Sequence, residues 1–139
     1  MTSEKLINSI IEHEGFSSTV YLDSLGKPTI GYGFLVEALE MDKDIGREIM
    51  LRKLKKNELT LIRNLEWYRE LPEEAKEIIQ EMFYQLHYKL FKFVKTLSYI
   101  EKHDWASASK EMLDSKWASK DCPKRAEALS ERMSKVTCD

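Results

Sequence analysis

The sequence predicts an α+β, mostly helical chain: a small N-terminal lobe with a short antiparallel sheet, a long connecting helix, and a helical C-terminal lobe. Three observations carry this reading. Apolar residues recur at helical spacing along most of the chain. One segment alone, residues 20–34, turns to β-branched and aromatic residues punctuated by turn formers. No stretch is Gly/Ser-rich and none repeats at a fixed period, so the 139 residues read as a single domain. Its lobes fall at about 15–60 and at 1–14 plus 61–139.

The elements follow in order. Ser3 caps a helix over residues 3–13, with Leu6, Ile7, Ile10 and Ile11 on one stripe. Glu14 falls four residues after Ile10 and three after Ile11, which puts a carboxyl on that apolar side. Gly15 stops the helix. Residues 20–23 suit a strand, Asp23 to Pro28 a turn, and Thr29 to Phe34 a second strand thinned by Gly31 and Gly33. Asp42 or Asp44 opens a long helix to about Arg63. Pro72 opens a central helix whose wide apolar face includes Ala75, Ile78, Ile79, Met82, Phe83 and Leu86. Shorter helical pieces fill 88–100. Asp104 caps Trp105–Leu113, and Pro123 opens the last helix, with Ala126, Leu129 and Met133 inward.

Composition narrows the function classes. The chain is 42% hydrophobic and 10% aromatic, which argues against wholesale disorder. Its longest apolar run, Ile30 to Val36, is far short of the roughly 20 residues of a membrane span. Charged residues within the first twenty leave no secretory core there. Cys122 and Cys138 do not make a disulfide framework and are expected to be free thiols. His13, His87 and His103 are scattered, so neither a metal site nor a cofactor is expected. Net charge is -2, yet residues 1–85 hold 11 basic and 16 acidic residues and residues 86–139 hold 11 and 8. A strong nucleic-acid binder is usually more basic. The run Arg52 to Lys56 reads as a solvated helix face, and Trp105 and Trp117 as core, with Tyr88, Phe91 and Phe93 closing the C-terminal lobe.

Glu14, Asp23 and Thr29 surround a helix end and the hairpin after it, and such a hairpin can fold so that all three line one cleft. Glycosidic-bond cleavage needs two carboxyls in different surroundings, one carrying a proton for the leaving oxygen and one ionised. Desolvation on the apolar stripe would favour the proton-carrying form of Glu14, and a polar turn would keep Asp23 charged. Spacing alone favours a plainer reading, a salt-bridged helix end and a turn-forming Asp.

The local sequence shifts that balance. Glu14-Gly15, then Tyr21-Leu22-Asp23, then Thr29-Ile30-Gly31-Tyr32-Gly33, closely resembles the phage-type lysozymes (glycoside hydrolase family 24). Leu113-Asp114-Ser115-Lys116-Trp117-Ala118 and Cys122-Pro123-Lys124-Arg125-Ala126 are similar to two further segments of that family, and Met82 to Leu86 to the end of its central helix. The resemblance implies a lysozyme-like fold and an endolysin muramidase. Such an enzyme cuts the β-1,4 bond between N-acetylmuramic acid and N-acetylglucosamine in peptidoglycan, with inversion. It implies Glu14 as general acid, Asp23 and Thr29 as holders of the attacking water, Arg125 as partner of the catalytic Glu, and Gln85 as a saccharide contact. Tyr32, in the glycine-thinned strand, is a second candidate contact. It also implies a cofactor-free monomer made in the host bacterial cytoplasm, with a holin opening its way to the wall. The alternative is a non-catalytic peptidoglycan-binding or virion structural module on the same fold. Phe34, Cys122 and Lys124 depart from the family's usual His, Thr and Asn.

Overall fold

The computed structural model describes residues 2–137, so Cys138 lies outside the described residues. Residues divide into two compact units, one up to Arg47 and one from Glu48 onward. Helices dominate, and the one sheet lies near the N-terminus.

In the first unit, α1 (Glu4–Glu14) starts where the Ser3 hydroxyl accepts from the Leu6 amide at 3.2 Å. It ends where the Gly15 amide donates to the Ile11 carbonyl, with Gly15 at φ +68°. Three antiparallel strands follow in the order β1 (Ser17–Leu22), β2 (Pro28–Gly31), β3 (Phe34–Leu35). Tyr21 faces Thr29 and Leu22 faces Pro28, with a bulge between Ser17 and Tyr21. The strand expected over 29–34 is in fact two. Gly31 and Gly33 both take positive φ and fold the chain back at Tyr32 and Gly33, so Ile30 pairs with Phe34. Glycines read as thinning of a strand are a tight hairpin turn.

This unit has little interior. Among its described residues only Thr29 and Gly31 are buried. The apolar stripe of α1 is helical as expected but open, Leu6 being 52% exposed and Ile10 46%.

The second unit holds the core. Helix α2 (Lys43–Asn64) starts in the first unit and runs on to buried Leu61. After a 3-10 turn at Tyr68–Glu70 come α3 (Glu73–Leu86), a 3-10 segment at His87–Lys92, α4 (Val94–Glu101), α5 (Trp105–Leu113), a π-type turn at Trp117–Asp121 and α6 (Pro123–Ser134). Asp104 caps α5 by accepting from the Ser107 amide, and Pro123 stands at the start of α6, both as expected. Ala75, Ile78, Ile79, Met82 and Phe83 make α3 the central helix, packed with Leu90, Ile100, Met112, Trp117, Leu129 and Met133. Trp105 is partly buried against this core. Tyr88 departs from expectation at 66% exposure: the backbone at His87 turns to φ 53°, and the ring lies across Phe83 at 5.8 Å from outside.

Polar networks tie the helices of this unit. The Gln80 amide donates to Glu58 (2.9 Å) and to the Tyr68 hydroxyl (2.7 Å), and that hydroxyl donates to Glu58 (3.3 Å). Arg132 of α6 donates to Glu74 of α3 at 2.7 Å, with Glu77 and Glu81 beside it. That hydrogen bond holds the Glu74 carboxyl below the usual range, so its modest contribution to stability is present at neutral pH and fades on acidification. Burial pushes the Tyr68 phenol up to about 12, against the Gln80 hydrogen bond and with the Glu58 charge adding to the rise. The folded state then keeps a proton that the unfolded chain loses above about pH 10. Stability from Tyr68 is complete below pH 10 and falls as pH rises towards 12, by on the order of 2 kcal/mol. Urea unfolding between pH 9 and 12 will show that slope in the native chain, and Tyr68→Phe will flatten it.

Candidate active site

Of the expected site residues, Glu14, Asp23, Thr29 and Tyr32 all stand on the first unit's helix end and sheet. Glu14 closes α1. Its carboxylate lies directly against Gly33, where a Cβ would collide with it, and Gly33 holds φ +75°. The hairpin turn thus seats the acid because position 33 has no side chain and tolerates a left-handed backbone. Glu14 is exposed, and so is the α1 stripe it continues. The desolvated setting expected for it is absent from its own unit, because a helix with no buried residue provides no apolar cover.

Asp23 closes the β1–β2 turn. Its Oδ1 accepts from the amides of Leu25 (2.8 Å) and Lys27 (2.9 Å), while its own amide donates to the Lys27 carbonyl (2.9 Å). The plainer reading of a turn-forming Asp therefore holds for Oδ1. Two amide donors fix the carboxylate plane, and Oδ2 has no donor among the described residues. Thr29, on β2, is 5% exposed, and its hydroxyl donates to the Lys27 carbonyl at 3.0 Å. With that proton committed, its lone pairs are left to accept from a water. Asp23 and Thr29 share Lys27 as hydrogen-bond partner, so one turn sets both, while the next turn along the same sheet seats Glu14.

The motifs that hold these residues lie in the N-terminal part of a longer match. The family profile described as Phage lysozyme matches residues 11–135. The chain belongs to the phage lysozyme family. Phage lysozymes are hydrolases that degrade the bacterial cell wall, and membership makes peptidoglycan the substrate class. No curated protein matches the chain.

The other residues carried over from the family sit in the second unit of this phage lysozyme. Gln85 Oε1 accepts from Trp117 Nε1 (2.9 Å) and from Arg125 (3.3 Å), and its amide nitrogen donates to Cys122 Sγ. Gln85 is thus a joint between α3, the turn after α5 and the start of α6. Within its own unit Arg125 pairs with the Glu81 carboxylate, at 3.4 Å. That pair borders a cavity of about 530 Å³ also lined by Met50, Leu54 and Tyr84. Cys122 is a half-buried free thiol, and its sulfur serves as acceptor. Among the described residues no group of three His, Cys, Asp or Glu could hold a metal ion, and no helix is long and apolar enough to cross a membrane.

Sequence reasoning missed the grip of Gly33 on Glu14 and the place of Phe16. Phe16 follows Gly15 directly, and its ring centroid lies 5.0 Å from that of Tyr32. An aromatic residue just past the helix stop was the available signal.

Two glycine substitutions separate strain from seating. Gly26 has φ +77° with open space around it, so Gly26→Ala carries backbone strain alone, about 1–2 kcal/mol. Gly33→Ala carries the same strain and also expels the Glu14 carboxylate. Thermal unfolding will show similar losses for both, and the side-chain carboxyl resonance of Glu14 in ¹³C NMR will move in Gly33→Ala only.

Proposed function

We propose that this phage lysozyme is an endolysin muramidase that hydrolyses the β-1,4 bond between N-acetylmuramic acid and N-acetylglucosamine with inversion. The observation that carries the reading is the seating of Glu14 against Gly33 on the same small sheet whose preceding turn sets Asp23 and Thr29. Glu14 donates its proton to the leaving glycosidic oxygen as the bond lengthens. Asp23 Oδ2 and the Thr29 lone pairs hold a water on the opposite face of the ring, and Asp23 takes a proton from it as it attacks the anomeric carbon. Positive charge developing on the sugar is offset by the Asp23 carboxylate. Water between acid and base requires carboxyls roughly 6.5–9.5 Å apart in the working complex. Peptidoglycan itself brings the cover that Glu14 lacks on its own helix, since a bound sugar removes solvent from the acid.

The chain needs no cofactor for these steps. By family resemblance the proposal extends to access: a monomer accumulates in the host bacterial cytoplasm and reaches the wall when a holin opens the membrane. Gln85 and Arg125 are proposed to support saccharide binding through the geometry of the second unit, and Tyr32 by direct contact.

Turbidity clearing of outer-membrane-permeabilised bacteria tests the acid. Glu14→Gln will lose about 10²–10⁴-fold in rate with an unchanged melting temperature, because the side chain is exposed. Asp23→Asn, which keeps an acceptor for the turn amides, will fold and lose activity to a similar degree. NMR of the fresh product will show the inverted anomer. Retention of configuration, an anhydro sugar, or wall binding without release of soluble fragments would each sink the mechanism.

A further inference from the structure

Three aromatic residues lie close in sequence to Glu14 and to Gly33, and the reaction as described gives no part to two of them, Phe16 and Phe34. Phe16, Tyr32 and Phe34 are 65%, 39% and 46% exposed. Their rings form one cluster, Phe16 to Tyr32 at 5.0 Å and Tyr32 to Phe34 at 6.3 Å. Water meets about half of the surface of these residues, at a standing cost of about 25 cal/mol per Å² of apolar area. The cluster is also anchored. The Phe34 ring lies over Gly31, where a Cβ would come within 2.7 Å of it, and Gly31 has φ +70°. The residue between Tyr32 and Phe34 is Gly33, the seat of the Glu14 carboxylate. Tyr32 adds a phenol with no hydrogen-bond partner among the described residues.

We propose that Phe16, Tyr32 and Phe34 form a sugar-stacking platform that positions one N-acetylhexosamine of the glycan beside Glu14. The proposal rests on the muramidase reading, which already gives Tyr32 to the sugar, and adds Phe16 and Phe34. A pyranose presents axial C–H bonds on its faces and hydroxyls on its rim. The rings stand at 56° and 75° to one another, so single ring faces and one free phenol meet the sugar, as apolar sites with a few polar groups suit ligands generally. Proximity makes the occupant specific. An acid that protonates a glycosidic oxygen must touch it, and consecutive Cα atoms are only about 3.8 Å apart. A sugar bonded to that oxygen therefore comes within a ring's width of residues 32 and 34. The rings act by positioning, since they neither give nor take a proton.

The test uses the full chain carrying Glu14→Gln, with a soluble tetrasaccharide of alternating N-acetylglucosamine and N-acetylmuramic acid as probe. Ring-proton resonances of Phe16, Tyr32 and Phe34 will shift on titration. Adding Phe34→Leu or Phe16→Leu, which keep bulk without an aromatic face, will raise Kd about 3–10-fold, and Phe34→Trp will restore it. In the active chain, Phe34→Leu will raise KM on soluble glycan strands by a similar factor with kcat within about 2-fold, a split that a merely structural role would not produce. Silent rings with unchanged Kd in both Leu variants, while the native chain still clears walls, overturn the platform alone. Clearing by Glu14→Gln at the native rate overturns the muramidase reading instead.

Discussion

The proposed chemistry depends on a missing methyl group. Gly33 gives the Glu14 carboxylate its place because nothing projects from its α-carbon, and because the turn there needs a backbone that other residues adopt only under strain. Both demands fall on one position. The turn brings β3 back along β2, and Tyr32 and Phe34 flank Gly33 in the chain. The Asp23 turn works alongside it: a carboxylate oxygen spent on two amides orders a tight loop and at the same time orients the oxygen that remains. Local backbone chemistry, more than burial, sets these side chains.

The second unit is organised on the opposite principle. Its helices enclose a continuous apolar core around α3, and the polar groups at its edge are satisfied by partners far away in sequence. Among the described residues no fully enclosed side-chain nitrogen or oxygen lacks a hydrogen bond. Tyr68 and Gln80 are bound to Glu58 from different elements, and Arg132 gathers acids one helical turn apart on α3. Such clamps fix helix position, while the apolar interior supplies most of the driving force.

Much of this was legible in the sequence, for reasons that differ by residue. Ser3, Asp104 and Pro123 mark helix starts through backbone rules that act within three or four residues, and all three appear where those rules put them. The wide face of α3 announced a central helix because burial on several sides leaves no polar stripe. Periodicity could not say what covers the stripe of α1, since amphipathicity reports a preference and not a partner. The Gly31–Gly33 turn was missed because two glycines fit a weak strand as well as a reversal. The partners of the Gln85 amide, Trp117, Arg125 and Cys122, lie 32 to 40 residues away in sequence. No local pattern reaches that far.

The Gln85 amide has a direction. Its oxygen takes two donors and its nitrogen points at a sulfur, so rotation by half a turn would set donor against donor. Side chains from four places in the chain are thereby read as one arrangement. Changes at 85, 117, 122 and 125 should consequently show epistasis: a replacement harmful alone becomes tolerable once its neighbours change with it. A change at 122 alone takes away the sulfur that the Gln85 nitrogen meets, and the other three positions then answer to a different partner.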